Sequence, residues 1–212
     1  MSEYYETRYS FDIGRSRVWK AVAEYLQQFV RHDMDRVLDL GAGYCDFINN
    51  IKAREKFAVD MNPQGAQFCG PGVSFFCASA TDLGVLATDS VDVLFASNLL
   101  EHLDDGEMAC AMNEFHRVLA PGGRVILMQP NFRYAYREYF DDYTHKKIFT
   151  HISLRDFFQA NGFEAIRVQP RFLPFSLKSR LPKSYFLTKL YLLSPYKPMA
   201  GQMLLVLKKA GS

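Results

Sequence analysis

Several things are missing from this 212-residue chain, and each absence narrows what it can be. The opening Met1-Ser2-Glu3-Tyr4-Tyr5 has neither a basic flank nor an apolar stretch, so no signal peptide is expected. Long apolar runs are missing as well. Met203-Leu204-Leu205-Val206-Leu207 falls far short of the roughly 20 residues that cross a bilayer. Cysteine is scarce, and Cys45, Cys69, Cys77 and Cys110 show neither metal-type nor redox-type spacing. No disulfide scaffold and no metal site is expected. Cys77 and Cys110 lie in apolar runs that read as buried, which points to free thiols in a reducing cytoplasm. No internal repeat or low-complexity tract is present. The net charge is only +2, and no Asn-Pro-Pro-Tyr-type motif for a flipped base occurs, which argues against nucleic acid as a partner. Acidic residues stop at Glu164, while nine Lys and Arg follow it. The chain is thus an acidic body with a basic tail, which suggests an anionic partner for the tail or a solvated face balancing the body.

What is present begins with Arg36-Val37-Leu38-Asp39-Leu40-Gly41-Ala42-Gly43-Tyr44-Cys45-Asp46-Phe47. An apolar run ends in a Gly-x-Gly turn. A second run, Phe57-Ala58-Val59-Asp60, ends in an acid nineteen positions after Gly41. The pattern reads as strand, tight turn, helix and strand, with a nucleoside held across the strand ends. Glycine lets backbone approach a ligand where a Cβ would clash. Asp60, at a strand tip, is suited to accept hydrogen bonds from two ribose hydroxyls. A dinucleotide fingerprint would require glycine at position 46, where Asp46 stands. A carboxylate at a helix N-terminus repels a diphosphate. The turn therefore suits a nucleoside without phosphate, of which S-adenosylmethionine is the common one, and disfavours a nicotinamide-dependent oxidoreductase.

Two further segments carry a resemblance. Val91-Asp92-Val93-Leu94-Phe95-Ala96-Ser97-Asn98-Leu99-Leu100-Glu101-His102-Leu103 resembles the fourth strand and following loop of class I S-adenosylmethionine-dependent methyltransferases. Val118-Leu119-Ala120-Pro121-Gly122-Gly123-Arg124-Val125-Ile126-Leu127 resembles that family's turn into the fifth strand. The likeness runs in register from about Val37 to Ile166. It implies an α/β, Rossmann-like three-layer sandwich with a seven-stranded, mostly parallel sheet of order 3-2-1-4-5-7-6. It also implies a methyl group passed to an oxygen, or less readily a nitrogen, of a small molecule, sugar or lipid-linked glycan. A non-catalytic cofactor-binding scaffold of the same fold is the alternative.

The expected organisation is a single domain: an N-terminal helical cap (1–33), a cofactor-binding core (34–169), a basic, aromatic segment (170–200) and a final strand (201–209). Strands are expected near 36–40, 56–60, 73–77, 91–96, 124–129, 164–168 and 202–207. The cap helix is expected within 11–30, others near 45–53, 63–68 and 106–119, and one from a Ser153 cap to Asn161 with Gly162 as its stop. For the cofactor, Gly41, Ala42 and Gly43 line the methionine portion. Asp39 orders the turn or reaches the amino group through water, and Met61 covers an adenine face or packs. The family usually reads the adenine amino group with an acid, but Cys77-Ala78-Ser79-Ala80-Thr81-Asp82 offers Ser79 there. Ser79, Ala80 and Thr81 form the adenine edge, with Ser79, Asp82 or backbone doing the reading. Ser97 and Asn98 touch the methionine end.

For the acceptor, Asp141, Tyr143 and His145 follow the fifth strand at the carboxyl edge, where open α/β sheets bind ligands. A histidine near a carboxylate there is a reasonable base for a hydroxyl acceptor, with His102 as a second candidate. Phe140–Thr144 and the run Arg171–Pro182 resemble a bacterial branch of the family associated with glycan and glycolipid assembly. The tail from 167 to 197 mixes basic and aromatic residues. It is expected to form a lid, a homodimer contact, or a peripheral contact with an anionic membrane at its inner face.

Overall fold

The computed structural model describes residues 13–174 and 183–211. Phe175 to Pro182, which includes most of the run from Arg171 to Pro182 and the bases Lys178 and Arg180, lies outside them. Seven strands form one sheet: β1 (Arg36–Leu40), β2 (Glu55–Asp60), β3 (Val73–Cys77), β4 (Val91–Ser97), β5 (Leu119–Pro130), β6 (Phe163–Gln169) and β7 (Gln202–Lys209). Their spatial order is 3-2-1-4-5-7-6, as the resemblance implies. Strands β3, β2, β1, β4 and β5 run parallel; β7 is antiparallel to both of its neighbours, β5 and β6. The carboxyl ends of β1, β2, β4, β5 and β6 therefore share one edge.

Strand composition explains the layering. Central strands covered on both faces read as continuous apolar runs, as Val37-Leu38 and Val93-Leu94-Phe95-Ala96 do. Alternate residues go to opposite cores. Leu38, Leu94, Val125 and Leu127 pack with Phe115, Phe158 and Phe163 on one face. Val37, Val93, Phe95 and Ile126 pack with Trp19, Leu26, Phe47 and Phe172 on the other.

The helices are α1 (Ile13–Leu26), α2 (Asp46–Asn50), α3 (Asp105–Val118), α4 (Phe132–Ala135), α5 (His151–Ala160) and α6 (Tyr185–Leu193). The expected cap helix is shorter than the range 11–30, because it tightens into a 3-10 turn at Gln27–Phe29. The expected helix near 63–68 is likewise a 3-10 segment, Pro63–Phe68. Helix α3 starts at a capping box of Asp104 and Glu107, and buries Met108, Ala111, Met112, Phe115 and Val118 along one stripe.

Two expectations need correction. Ser153 is not the cap of α5; Thr150 is, and Ser153 serves as the reciprocal third residue of that capping box. Cys77 and Cys110 are exposed rather than buried. Cys77 closes the edge strand β3, and Cys110 falls off the buried stripe of α3, so an apolar neighbourhood in sequence did not translate into burial. On the tail, Lys189 of α6 reaches Glu24 of α1 at 3.1 Å.

Candidate active site

The Gly41-Ala42-Gly43 turn leaves β1 and doubles back on β2. The amides of Gly41 and Ala42 donate to the Val59 carbonyl at 2.8 and 3.1 Å. Gly41 (φ +73°) and Gly43 (φ +51°) sit in left-handed backbone that other residues rarely adopt. A Cβ on Gly41 would meet Leu99 Cδ1 at 3.3 Å, so the loop after β4 rests directly on this turn.

Asp60 ends β2 and is 5% exposed. Its carboxylate accepts from the Gly43 amide and from the Asn62 amide, both at 2.8 Å. It thus clasps the glycine turn to its own loop, which positions it at the tip between two strands. Asp39 lies beneath the turn, 3% exposed, and accepts from the Ile48 amide at 3.3 Å. Burial pushes its carboxyl up to about 8. The Ile48 hydrogen bond opposes this, and repulsion from Asp60 and Asp46 adds to it. Asp46, at the position of the missing third glycine, opens α2 and pairs with Arg15 of α1 at 2.5 Å. The helix end that would meet a diphosphate thus holds a carboxylate already engaged with the cap.

Farther out, Met61 is 55% exposed at the mouth. Ser79 and Thr81 share a hydroxyl hydrogen bond of 2.8 Å, and the Thr81 amide donates to Ser79 Oγ at 3.1 Å, with Ala80 buried between them. Asn98, in left-handed backbone (φ +50°), accepts from Gln202 at 2.9 Å. Ser97 Oγ is buried and has no partner among the described residues. These groups sit at or just past the ends of β1, β2, β3 and β4. They fit S-adenosylmethionine: a turn with two glycines in left-handed backbone, an acid at the tip of β2, no accommodation for a diphosphate, and an orphaned hydroxyl at the end of β4.

The second cluster surrounds the 3-10 turn Leu100–His102, just past Leu99. The Glu101 carbonyl accepts the Lys146 and Lys147 amides at 2.8 and 3.1 Å, which draws the loop after β5 down onto it. That brings His145 beside His102, with ring centroids 4.9 Å apart. The Tyr139 ring packs on His145 at 4.6 Å, and its hydroxyl donates to the Lys147 carbonyl. His102 Nδ1 faces the Thr144 hydroxyl at 3.0 Å and the Thr144 carbonyl at 3.3 Å, and Thr144 Oγ1 donates to Asp142 at 2.6 Å. Burial, then the neighbouring His145, holds the His102 imidazole below its ordinary range.

Of the acceptor residues foreseen from sequence, the structure gathers His102 and His145. Asp141 lies exposed on a 3-10 turn, Tyr143 is 82% exposed, and the carboxylate that reaches Thr144 is that of Asp142. Glu101 was missed. It is 1% exposed, neither carboxylate oxygen has a hydrogen-bond partner among the described residues, and burial pushes it up to about 8. Gln129, whose side chain is also buried and unpartnered among the described residues, was missed too. The available signal was a charge inside the apolar run Leu99-Leu100-Glu101-His102-Leu103, since Glu is seldom buried without use.

The tail helix α6 packs on α1, and the Tyr185 hydroxyl donates to Glu24 at 2.5 Å. Between α1, α6 and the end of β6 opens a cavity of about 1090 Å³, lined among others by Tyr25, Tyr134, Arg167, Arg171, Lys189 and Lys197. Arg171 stacks over Tyr134 at 4.3 Å. None of the residues of the Gly41–Gly43 turn lines this cavity.

Residues 38–127 match the family described as a methyltransferase domain. A curated relative, an uncharacterised methyltransferase of Oceanobacillus iheyensis, is 24% identical over 120 residues, a match spanning 54% of this chain and 56% of that protein. Two solved structures share the fold at low identity. An S-adenosylmethionine-dependent methyltransferase of Archaeoglobus fulgidus is 19% identical with a TM-score of 0.65, covering 90% of this chain and 94% of its own. A methyltransferase candidate of Haloferax volcanii, in complex with the Trm112 methyltransferase activator, is 18% identical with a TM-score of 0.70, covering 93% and 92%.

Proposed function

We propose that this chain transfers the methyl group of S-adenosylmethionine to an oxygen, and less readily to a nitrogen, of a small molecule, sugar or lipid-linked glycan. The observation that carries the reading is the Asp60 carboxylate, fixed at the tip of β2 by the Gly43 amide at 2.8 Å, beside a turn whose two glycines leave backbone open to a ligand. Methyl transfer from a sulfonium is an in-line displacement. It asks the protein to align acceptor, methyl and sulfur, and to keep water out. Gly41, Ala42 and Gly43 hold the methionine portion, Asp60 the ribose, and Ser79 to Thr81 the adenine edge. Ser97 and Asn98 lie toward the methyl.

A hydroxyl acceptor must lose its proton, and the side chains suited to handling that charge are His102, His145 and Glu101, directly beyond Leu99. The cavity beside α6, with Arg167, Arg171, Lys189 and Lys197 around aromatic walls, suits an acceptor bearing negative charge next to an apolar or sugar portion. The same basic and aromatic tail supports peripheral contact with an anionic membrane if the acceptor is lipid-linked.

Calorimetry with S-adenosylmethionine, its demethylated product and NAD tests the cofactor half of the proposal. Both adenosyl compounds should bind and NAD should not; tight NAD binding without adenosyl binding would overturn it. Methyl-labelled cofactor incubated with cell extracts and lipid-linked sugars tests the acceptor half.

A further inference from the structure

We propose that Glu101, His102 and His145 form a divalent-cation site beside the cofactor turn. One carboxylate oxygen of Glu101 and one ring nitrogen from each histidine lie within 4.8 Å of one another, close enough for a single ion to touch all three. Two imidazoles and one carboxylate, with room left for an exchangeable ligand, are the donor set of catalytic zinc centres and of related first-row metals.

The surroundings are built for it. Glu101 is 1% exposed, and both of its oxygens lack hydrogen-bond partners among the described residues. A buried carboxylate in that condition is costly, and coordination is one of the few things that would satisfy it. His102 is already oriented as a ligand. Thr144 gives its hydroxyl proton to Asp142, so toward His102 both Thr144 Oγ1 and the Thr144 carbonyl act as acceptors. The His102 Nδ1 must then carry the hydrogen, and Nε2 keeps its electron pair. This carboxylate–hydroxyl–imidazole chain is the kind of outer support that fixes the tautomer of a metal-binding histidine. His145 is held by the tilted Tyr139 ring packed against it and by the Lys146 and Lys147 amides on the Glu101 carbonyl. Three ligands from two loops are thus locked together by main-chain bonds. The spacing of cysteines and histidines along the chain gave no sign of this, because His145 lies more than forty residues from the adjacent Glu101 and His102.

The inference rests on the methyl-transfer reading only for its role. Leu99 lies on Gly41, and Glu101 follows two residues later, so the site adjoins the methionine end of the cofactor turn. An acceptor hydroxyl bound to a cation here becomes more acidic and passes its proton to water. Its oxygen then forms the C–O bond as the methyl–sulfur bond breaks. The electron pair of that bond stays on sulfur and leaves a neutral thioether. Acceptors with two neighbouring oxygens, able to grip the ion as a chelate, fit best.

The test uses the full chain, stripped with chelator and titrated with Zn²⁺, Mn²⁺ and Mg²⁺ by calorimetry, with Co²⁺ as the optical probe. One equivalent of Zn²⁺ should bind per chain, and Co²⁺ should give the visible absorption of a low-symmetry nitrogen–oxygen site. Glu101→Gln and His145→Ala should abolish both signals, and Thr144→Val should weaken Zn²⁺ binding by roughly 10–100-fold. Each variant's affinity for S-adenosylmethionine should match the unaltered chain, which certifies folding. Absence of any stoichiometric cation binding to the unaltered chain, or Zn²⁺ binding that survives Glu101→Gln together with His145→Ala, would overturn the proposal. Failure to bind S-adenosylmethionine would instead strike the methyl-transfer reading and leave a cation site standing.

Discussion

Asp39 offers a quantitative check on the geometry beneath the cofactor turn. Burial, with repulsion from Asp60 and Asp46, pushes its carboxyl up to about 8 from an ordinary value of 3.8, against one long amide hydrogen bond that opposes the rise. The folded protein therefore holds a proton between about pH 4 and pH 8 that the unfolded chain has released. A folded state that binds more protons loses stability as pH rises, so this contribution is largest at low pH and fades through pH 8. Integrating the Asp39 titration from pH 7 to pH 8 gives a loss of about 1 kcal/mol, or about 2–4 °C in melting temperature for a chain of this size.

Asp39→Asn keeps the shape and a carbonyl acceptor for the Ile48 amide, and removes the titration. Relative to the unaltered protein, the variant should gain about 1 kcal/mol between pH 7 and pH 8. The window is well chosen. The depressed histidines His102 and His151 act below it, and the raised thiols of Cys45 and Cys69 act above it. Any other group titrating in the window, Glu101 included, is common to both proteins and cancels in the difference. Thermal melts of metal-free protein at half-unit steps from pH 6 to pH 8.5 supply the measurement. Parallel curves for the two proteins would refute the buried, protonated Asp39. The same reasoning predicts that a cationic cofactor favours ionised Asp39, so binding at pH 7 should release a proton that Asp39→Asn does not release. Calorimetry in two buffers of different ionisation enthalpy reads that proton directly.

Other outcomes follow from the same geometry. Asp60→Ala removes the acceptor for the Gly43 and Asn62 amides and a ribose ligand, and should weaken S-adenosylmethionine binding by about 1.5–3 kcal/mol; unchanged affinity by calorimetry would move the ribose elsewhere. His145→Ala should lower methyl turnover by roughly 10²–10⁴-fold with cofactor affinity intact, and an unaltered rate would exclude it from handling the acceptor's charge. Replacing Lys178, Arg180 and Lys183 with Gln should reduce co-sedimentation with anionic vesicles by about 1 kcal/mol per residue near the surface, most visibly at low salt. Equal recovery with neutral and anionic vesicles would leave the tail as a lid over a soluble acceptor.

The strands were legible because they depend on patterns that repeat locally, and their order because the family resemblance implies it. Apolar runs of strand length, each closed by glycine or an acid, announce buried parallel strands, and Gly41 to Asp60 announces where two of them bind a ligand. Helix ends were less legible. Thr150 and Ser153 are both competent caps, and only the backbone decides which one faces the open amides. Exposure of single residues was least legible of all, as Cys77 and Cys110 illustrate. A strand at the sheet edge and an off-stripe helix position look apolar in sequence and face water in space.

The acceptor side resisted sequence reading for a different reason. Its side chains come from loops whose shape is set by long-range main-chain bonds, above all the Lys146 and Lys147 amides on the Glu101 carbonyl. Nothing near His145 in sequence points to Glu101, and a histidine beside Asp141 and Asp142 looks like a base paired to an acid. In space, Asp142 reaches His102 through Thr144, and a buried carboxylate with no hydrogen-bond partner among the described residues sits in the turn after β4. Apart from Trp19 Nε1 on α1, the buried polar atoms without a hydrogen-bond partner among the described residues mark this edge independently of any motif. Ser97, Glu101 and Gln129 all lie at or just past the carboxyl ends of β4 and β5, where the fold has no structural reason to strand them. A chain that tolerates such groups in its core pays for them in stability, and the methyl transfer proposed above would give them a use beside the glycine turn.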